Sequence, residues 1–347
     1  MMLRGEELER RRKRILEVIV EAYISTAQPV GSRAIARQFM LDLSPATIRN
    51  EMADLEELGY LRKPHNSAGR VPTDKGYRYY VDSLMGVRRL PSTQAARIAR
   101  EYRKPPDGIG ELMEKTSRIL SSITHQAGMI IFPRLRKSGL KRLELVRMDS
   151  RKLLAVWTTT SGLMRDHVVN TKEDFASEEL RGVCNLLNRE LVGLDLDEIR
   201  VELLKRMREE RTSVSYLVRG AFEIIRHISS DEAADRLYLE GRNYILEQPE
   251  FKDLSRARQV MAALEEKGQL LEILNEDSKY EGVKVHIGKE NKFKVMWECS
   301  IVTSNYRLEG EVVGTLGVLG PKRMEYSKVV ACVDHMAKVV GQALSRW

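Results

Sequence analysis

Cysteine is scarce in this chain: three residues in 347, Cys184, Cys299 and Cys332, odd in number and far apart. Such spacing offers no disulfide framework and no Cys-x-x-Cys metal motif, and it fits small apolar side chains in a reducing compartment. The six histidines (His65, His125, His167, His227, His286, His335) are scattered without a His-Glu-x-x-His pair, so no metal ligand set is apparent. There is no Gly-x-Ser-x-Gly, and the glycine-rich GTLGVLGP at 314–321 lacks the Gly-Lys-Ser/Thr of a phosphate loop. Turn and close-packing roles suffice for it. No apolar run approaches the roughly 20 residues that span a bilayer. The start, MMLRGEELERRRKR, has no apolar signal core. A cytoplasmic, non-enzymatic protein is therefore expected, with no metal, cofactor or membrane contact.

What is abundant is positive charge in one place. Residues 1–104 hold 20 Lys and Arg against 13 Asp and Glu, a surplus of +7 out of +8 for the whole chain. A polyanion is the simplest partner for such a module, because displaced counterions make basic clusters productive on nucleic acid. The run RRRKR at Arg10–Arg14 is less specific. It either contacts phosphates or forms the solvated face of a helix.

The segment SPATIRNEMADLEELGYLRKPHNSAGRVPTDKGYRYY at 44–80 carries the most information. Ser44 suits an N-cap and Pro45 the first helical position. Ile48, Met52 and Leu55 recur at i, i+4 and i+7, predicting one core-facing stripe, and Gly59 predicts a left-handed stop. Thr47, Arg49 and Asn50 occupy the opposite early face, where hydroxyl, guanidinium and amide groups read base edges. Upstream, Leu16, Ile19, Val20 and Tyr23 predict a helix within 8–24. Ser32 predicts the cap of a short helix through Ala34, Ile35, Ala36 and Phe39, followed by a break at Leu41–Ser44. Downstream, Tyr60–Lys63 and Arg70–Thr73 predict strands around a His65–Gly69 turn. Arg62, Lys63 and Arg70 would make that wing cationic. The sum is a winged helix. Used only for protein contacts, the same fold would leave Arg49 and Arg70 as ordinary surface.

Residues 74–85 predict a helix whose tyrosines pack back onto the head or stack on nucleic acid. Gly86–Pro91 and Lys104–Gly110 read as hinges that leave the head at a variable angle. Beyond them, Leu112–Ile123 and Leu180–Leu191 read as helices. Met129–Pro133, Leu143–Met148, Leu153–Thr158 and His167–Val169 read as strands. Further strands are expected at Val283–Ile287, Phe293–Ile301 and Val312–Leu319, with a closing helix over Ser327–Leu344. One antiparallel sheet with helices against it is the simplest assembly. Residues 197–276 are mainly helical, with one possible strand at Tyr238–Glu240, and read as an insertion. Their surplus of apolar positions suggests a surface covered by another subunit.

The block SPATIRNEMADLEELGYLRKPHNSAGRVPTDKGYRYYVD, with CSIVTSNY at 299–306 and GTLGVLGPKRMEY at 314–326, resembles the bacterial heat-inducible transcription repressor family HrcA over its full length. The family's usual isoleucine in the GVIGP segment is Leu319 here. The resemblance implies an α+β multidomain chain: a winged helix-turn-helix head, and a GAF-like α/β sheet domain with an inserted, mainly helical dimerisation domain. The expected boundaries are 1–86 for the head, 87–110 for a linker, 111–196 and 277–347 for the GAF-like domain, and 197–276 for the insertion. It also implies repression of chaperone operons of the GroE and DnaK type. The repressor would bind as a homodimer to a double-stranded inverted repeat (CIRCE), be released on heat shock, and be kept active by the GroE chaperonin. Ser44, Thr47, Arg49 and Asn50 then become candidates for base and nearby phosphate contact, with Arg62, Lys63, His65, Asn66, Ser67 and Arg70 in the wing. Two other readings remain: a metabolite-gated regulator using the GAF-like domain, and an RNA-binding or structural adaptor.

Overall fold

The computed structural model describes residues 2–38, 43–64, 69–86, 89–103, 106, 108–131, 139–160, 164–171, 174–209, 218–226, 237–249 and 254–346. The chain forms two compact units: Met1–Phe132 with Leu237–Ser345, and Pro133–Arg236 with Arg346–Trp347.

The first unit begins with α1 (Met2–Thr26), α2 (Ser32–Gln38) and α3 (Pro45–Glu57), then the paired strands β1 (Leu61–Arg62) and β2 (Val71–Pro72). α1 is longer than the apolar stripe predicts and buries Ile15, Leu16, Val18, Ile19 and Val20. Ser32 is the first residue of α2 rather than a cap ahead of it. The Gly31 carbonyl accepts from Ala34 N–H and Ile35 N–H. Then come α4 (Asp74–Tyr79), which continues as a π-helical turn over Tyr80–Leu84, and α5 (Ser92–Glu101) and α6 (Ile109–Thr124). The expected hinges do not leave α5 free. Ile98 is fully buried, and the Tyr102 hydroxyl meets Thr116 Oγ1 on α6 at 2.6 Å. The linker expected at 87–110 thus contains a helix whose C-terminal end is tied to α6 through Tyr102.

Five strands form the larger sheet in the order β7 (Leu237–Glu240), β3 (Ala127–Ile131), β10 (Glu311–Pro321), β9 (Cys299–Leu308) and β8 (Val283–Ile287), each antiparallel to its neighbour. Ala127, Met129, Ile131, Cys299, Ile301 and Leu319 face a core shared with α11 (Leu254–Glu265) and α12 (Lys267–Asp277). α6 and α13 (Tyr326–Leu344) cover the opposite face. Strands buried on both faces read as unbroken apolar runs rather than alternating ones, as VVGTLGVLG in β10 does. The strand expected at Phe293–Ile301 begins only at Cys299 and runs on to Leu308; Lys294–Met296 is a short 3-10 turn.

The second unit contains β4 (Leu140–Asp149), β5 (Lys152–Thr159) and β6 (Met164–Asn170) as a separate antiparallel sheet. α7 (Ser177–Glu190), α8 (Leu196–Glu209) and α9, described over 218–226, share its core. Asn188 on α7 pins β4 by bonding both backbone groups of Leu143, at 2.6 and 2.7 Å. This corrects the expectation of a single sheet interrupted at 197–276. The strand at 237–240 belongs to the edge of the five-stranded sheet, α11 and α12 cover that sheet, and the departing segment is 133–236. The local β4–β5–β6 meander satisfies its own backbone bonds, which apolar patterning cannot distinguish from membership of a larger sheet.

Candidate nucleic-acid interface

α3 is built as its sequence predicts. Ser44 Oγ accepts from Thr47 N–H at 3.1 Å and meets the Thr47 hydroxyl at 2.9 Å. Ile48, Met52 and Leu55 are buried. At the other end Tyr60 N–H bonds Leu55 O and Gly59 N–H bonds Glu56 O, both at 2.9 Å, with Gly59 at φ +79. This pair of bonds around a left-handed glycine closes the helix and turns the chain into β1.

Ser44, Arg49 and Asn50 are exposed and Thr47 is half-buried. Among the described residues no carboxylate pairs with Arg49, which is exposed. Arg62 and Lys63 on the hairpin are likewise exposed. His65, Asn66 and Ser67 lie outside the described residues.

Arg70 has a structural part beside the wing contact expected of it. Its Nε donates to Glu56 Oε2 on α3 at 2.7 Å, and its backbone exchanges two 2.9 Å hydrogen bonds with Val30. Gly69 lies against the Pro29 backbone so closely that a Cβ there would collide with it. The Pro29–Gly31 connector is therefore a third strand segment of the wing, and Arg70 fastens the wing to α3. Sequence reasoning missed this because nothing local marks Val30 as a partner for a residue 40 positions away.

Arg12 donates from Nε to Glu51 Oε2 at 3.0 Å and from a terminal nitrogen to Asp54, both on α3. The Glu51 hydrogen bond is the main reason the Arg12 pKa lies above its usual value. Lys13 pairs with Glu9 and Arg14 with Glu17. Arg12, with Arg11 3.8 Å from Glu51, ties α1 to α3, whereas Lys13 and Arg14 pair along α1 itself. Sequence reasoning passed over Arg33 and Arg37 on α2, which are exposed and add to the head's open positive charge. Their polarity in a short helix is the only signal that marked them.

No helix among the described residues is long and apolar enough to cross a membrane. Among them no three His, Cys, Asp or Glu side chains gather in a way that would hold a metal ion. Burial pushes the thiols of Cys299 and Cys332 up to about 12, as suits inert packing groups.

Comparison with known proteins gives the same picture. A family described as "Winged helix-turn-helix transcription repressor, HrcA DNA-binding" matches residues 7–83, and "HrcA protein C terminal domain" matches residues 110–330. The heat-inducible transcription repressor HrcA of Geobacter sulfurreducens is 42% identical over 338 residues, covering 97% of this chain and 98% of that protein. That of Pelotomaculum thermopropionicum is 38% identical over 340 residues, covering 98% of each. A crystal structure described as a hypothetical protein at 2.2 Å resolution has a TM-score of 0.60 at 21% identity, covering 97% of this chain and 98% of that one. This last likeness concerns the fold alone.

Proposed function

The chain belongs to the HrcA family of heat-inducible transcription repressors, and from that premise we propose that it represses chaperone operons as a homodimer on an inverted-repeat duplex of the CIRCE type. The observation that carries this reading is the exposed pair Arg49 and Asn50 near the start of α3, beside a hairpin bearing exposed Arg62 and Lys63. Guanidinium and carboxamide groups read guanine and adenine edges in the major groove, and flanking cations hold the backbone.

An inverted repeat calls for a two-fold symmetric reader. Self-association, expected through residues 197–276, is proposed instead at the outer face of the three-stranded sheet. Val146, Leu154 and Val168 stand in one cross-strand row. Met148 is 59% exposed and Met164 67% exposed, both from the same sheet. Single exposed apolar residues are ordinary, but a contiguous row of them marks an interface. Retention of the active form by the GroE chaperonin, and a GAF-like role for the five-stranded sheet as scaffold, complete the proposal; both come from the family resemblance.

A footprint on a palindromic operator tests the proposal, with Arg49→Ala as the deciding variant. Its expected cost is about 1–3 kcal/mol at one base position, whereas Lys63→Ala weakens every sequence and flattens the salt slope by about one. Equal loss from Arg49→Ala on all sequences would remove its reading role.

A further inference from the structure

α4 and the end of α1 are gripped by the larger sheet domain through residues that take no part in the interface above. Asp74 accepts from the Lys289 backbone N–H at 3.0 Å and pairs with Lys322 Nζ at 3.1 Å. Gly288, at φ +53, lies so close that a Cβ there would collide with the Asp74 carboxylate. Arg78 donates from Nε to Glu290 Oε1 at 2.9 Å, and also to the Val285 carbonyl. The Glu290 bond is the chief cause of a pKa raised above the usual arginine value, so Arg78 is a permanent cation. Arg323 donates to the Ile24 carbonyl in the last turn of α1 and to Gln248 Oε1 at 3.0 Å. A cation there meets unpaired carbonyls and the negative end of the helix dipole. The rings of Tyr77 and Tyr326, both buried, lie 5.9 Å apart.

Lys322, Arg323 and Tyr326 all come from the KRMEY end of the glycine-rich segment, to which no function has been attached so far. None of these contacts uses Ser44, Thr47, Arg49, Asn50, Arg62 or Lys63. The grip therefore leaves the reading groups open instead of masking them.

We infer that the 321–326 turn and the Gly288–Glu290 turn form a latch whose residues Lys322, Arg323 and Glu290 are positioning residues. They fix the head on its sheet domain and so determine which half-site spacing the repressor accepts. The inference rests on the dimeric-repressor reading. Two heads on loose tethers would bind half-sites as independent modules across a range of spacings. Two heads each fixed on its own sheet domain lose that freedom, the range of separations open to their α3 helices narrows, and affinity depends more steeply on the spacer.

The test uses full-length Lys322→Gln/Arg323→Gln and, separately, Gly288→Ala. Without DNA, amides of α4 and the Tyr80–Leu84 turn should exchange roughly tenfold faster in both variants, with α3 amides unchanged. With DNA, wild type should lose roughly tenfold or more in affinity when the spacer changes by one or two base pairs. Both variants should lose that preference while keeping wild-type affinity for a single half-site. Variants that retain the wild-type spacer profile overturn the positioning role, even if their amides exchange faster. Unchanged exchange overturns the latch itself. Wild type that binds no palindrome removes the dimeric-repressor reading and the spacing inference with it, and the exchange arm then shows separately whether the latch exists.

Discussion

Arg12→Ala is the sharpest test of how the head is held together. Glu51, on the buried side of α3, has a side chain only 8% exposed, whereas Arg12 is 31% exposed. Removing one partner of a fully buried pair costs about 3–5 kcal/mol, and a fully exposed pair contributes at most about 1 kcal/mol. Water reaches Arg12 but scarcely reaches Glu51, so an intermediate loss of about 2 kcal/mol is expected for α1–α3 docking. Hydrogen exchange of α1 and α3 amides in the full chain reads this directly, since about 2 kcal/mol is roughly a 30-fold faster opening. The double variant Arg12→Ala/Glu51→Gln should recover much of the loss, because a neutral amide needs no counter-cation. If exchange stays at the wild-type rate while the DNA salt slope drops by about one, Arg12 is a phosphate contact and the brace is wrong.

Arg70→Ala should weaken DNA binding through a loosened wing without changing the salt slope, in contrast to Lys63→Ala; a slope lowered by about one in both would restore Arg70 as a phosphate contact. Val168→Glu, on the apolar row of the three-stranded sheet, should shift the protein toward monomer in sedimentation, and an unchanged dimer would move the interface elsewhere. Gly341→Ala should cost about 1–3 kcal/mol in calorimetry, since its Cβ would meet the Arg307 carbonyl where α13 crosses β9. Cys299 and Cys332, pushed up to about 12 from 9.0, keep their protons longer when folded. Stability should therefore be intact below pH 9 and decline from there toward pH 12 as the unfolded chain releases protons first. Both thiols should also resist alkylation at pH 8 until the protein is heated through unfolding.

The helices and strands were largely legible because each announces itself locally. Ser44, Pro45, the Ile48–Met52–Leu55 stripe and Gly59 act within one helix, and the structure shows every one in its expected place. What escaped sequence reasoning is pairing across distance. Whether the 153–158 strand joins β4 or a C-terminal strand depends on chain closure that apolar pattern does not encode. Val30 against Arg70, Arg12 against Glu51 and Arg78 against Glu290 are likewise matches between segments far apart in the chain. In the candidate interface, residue type made Arg49, Asn50 and Arg70 candidates alike, and the fold adds that Arg70 also donates to Glu56.

The same distinction decides what the positive surplus means. Composition places +7 in the first 104 residues but cannot say which cations are open to solvent. Internal pairs remove equal numbers of each sign, so Arg12 with Glu51, Arg70 with Glu56, Lys13 with Glu9 and Arg14 with Glu17 leave the net charge untouched. Two more ties, Asp74 with Lys322 and Arg78 with Glu290, join the head to its sheet domain and cancel between them. The charge free to displace counterions on α2, α3 and the hairpin is then Arg33, Arg37, Arg49, Arg62 and Lys63, all exposed. A strongly basic head is thus a small set of open cations on a frame of paired ones. On the proposed reading, the salt dependence of DNA binding comes from the first group, while the second holds the shape of the head.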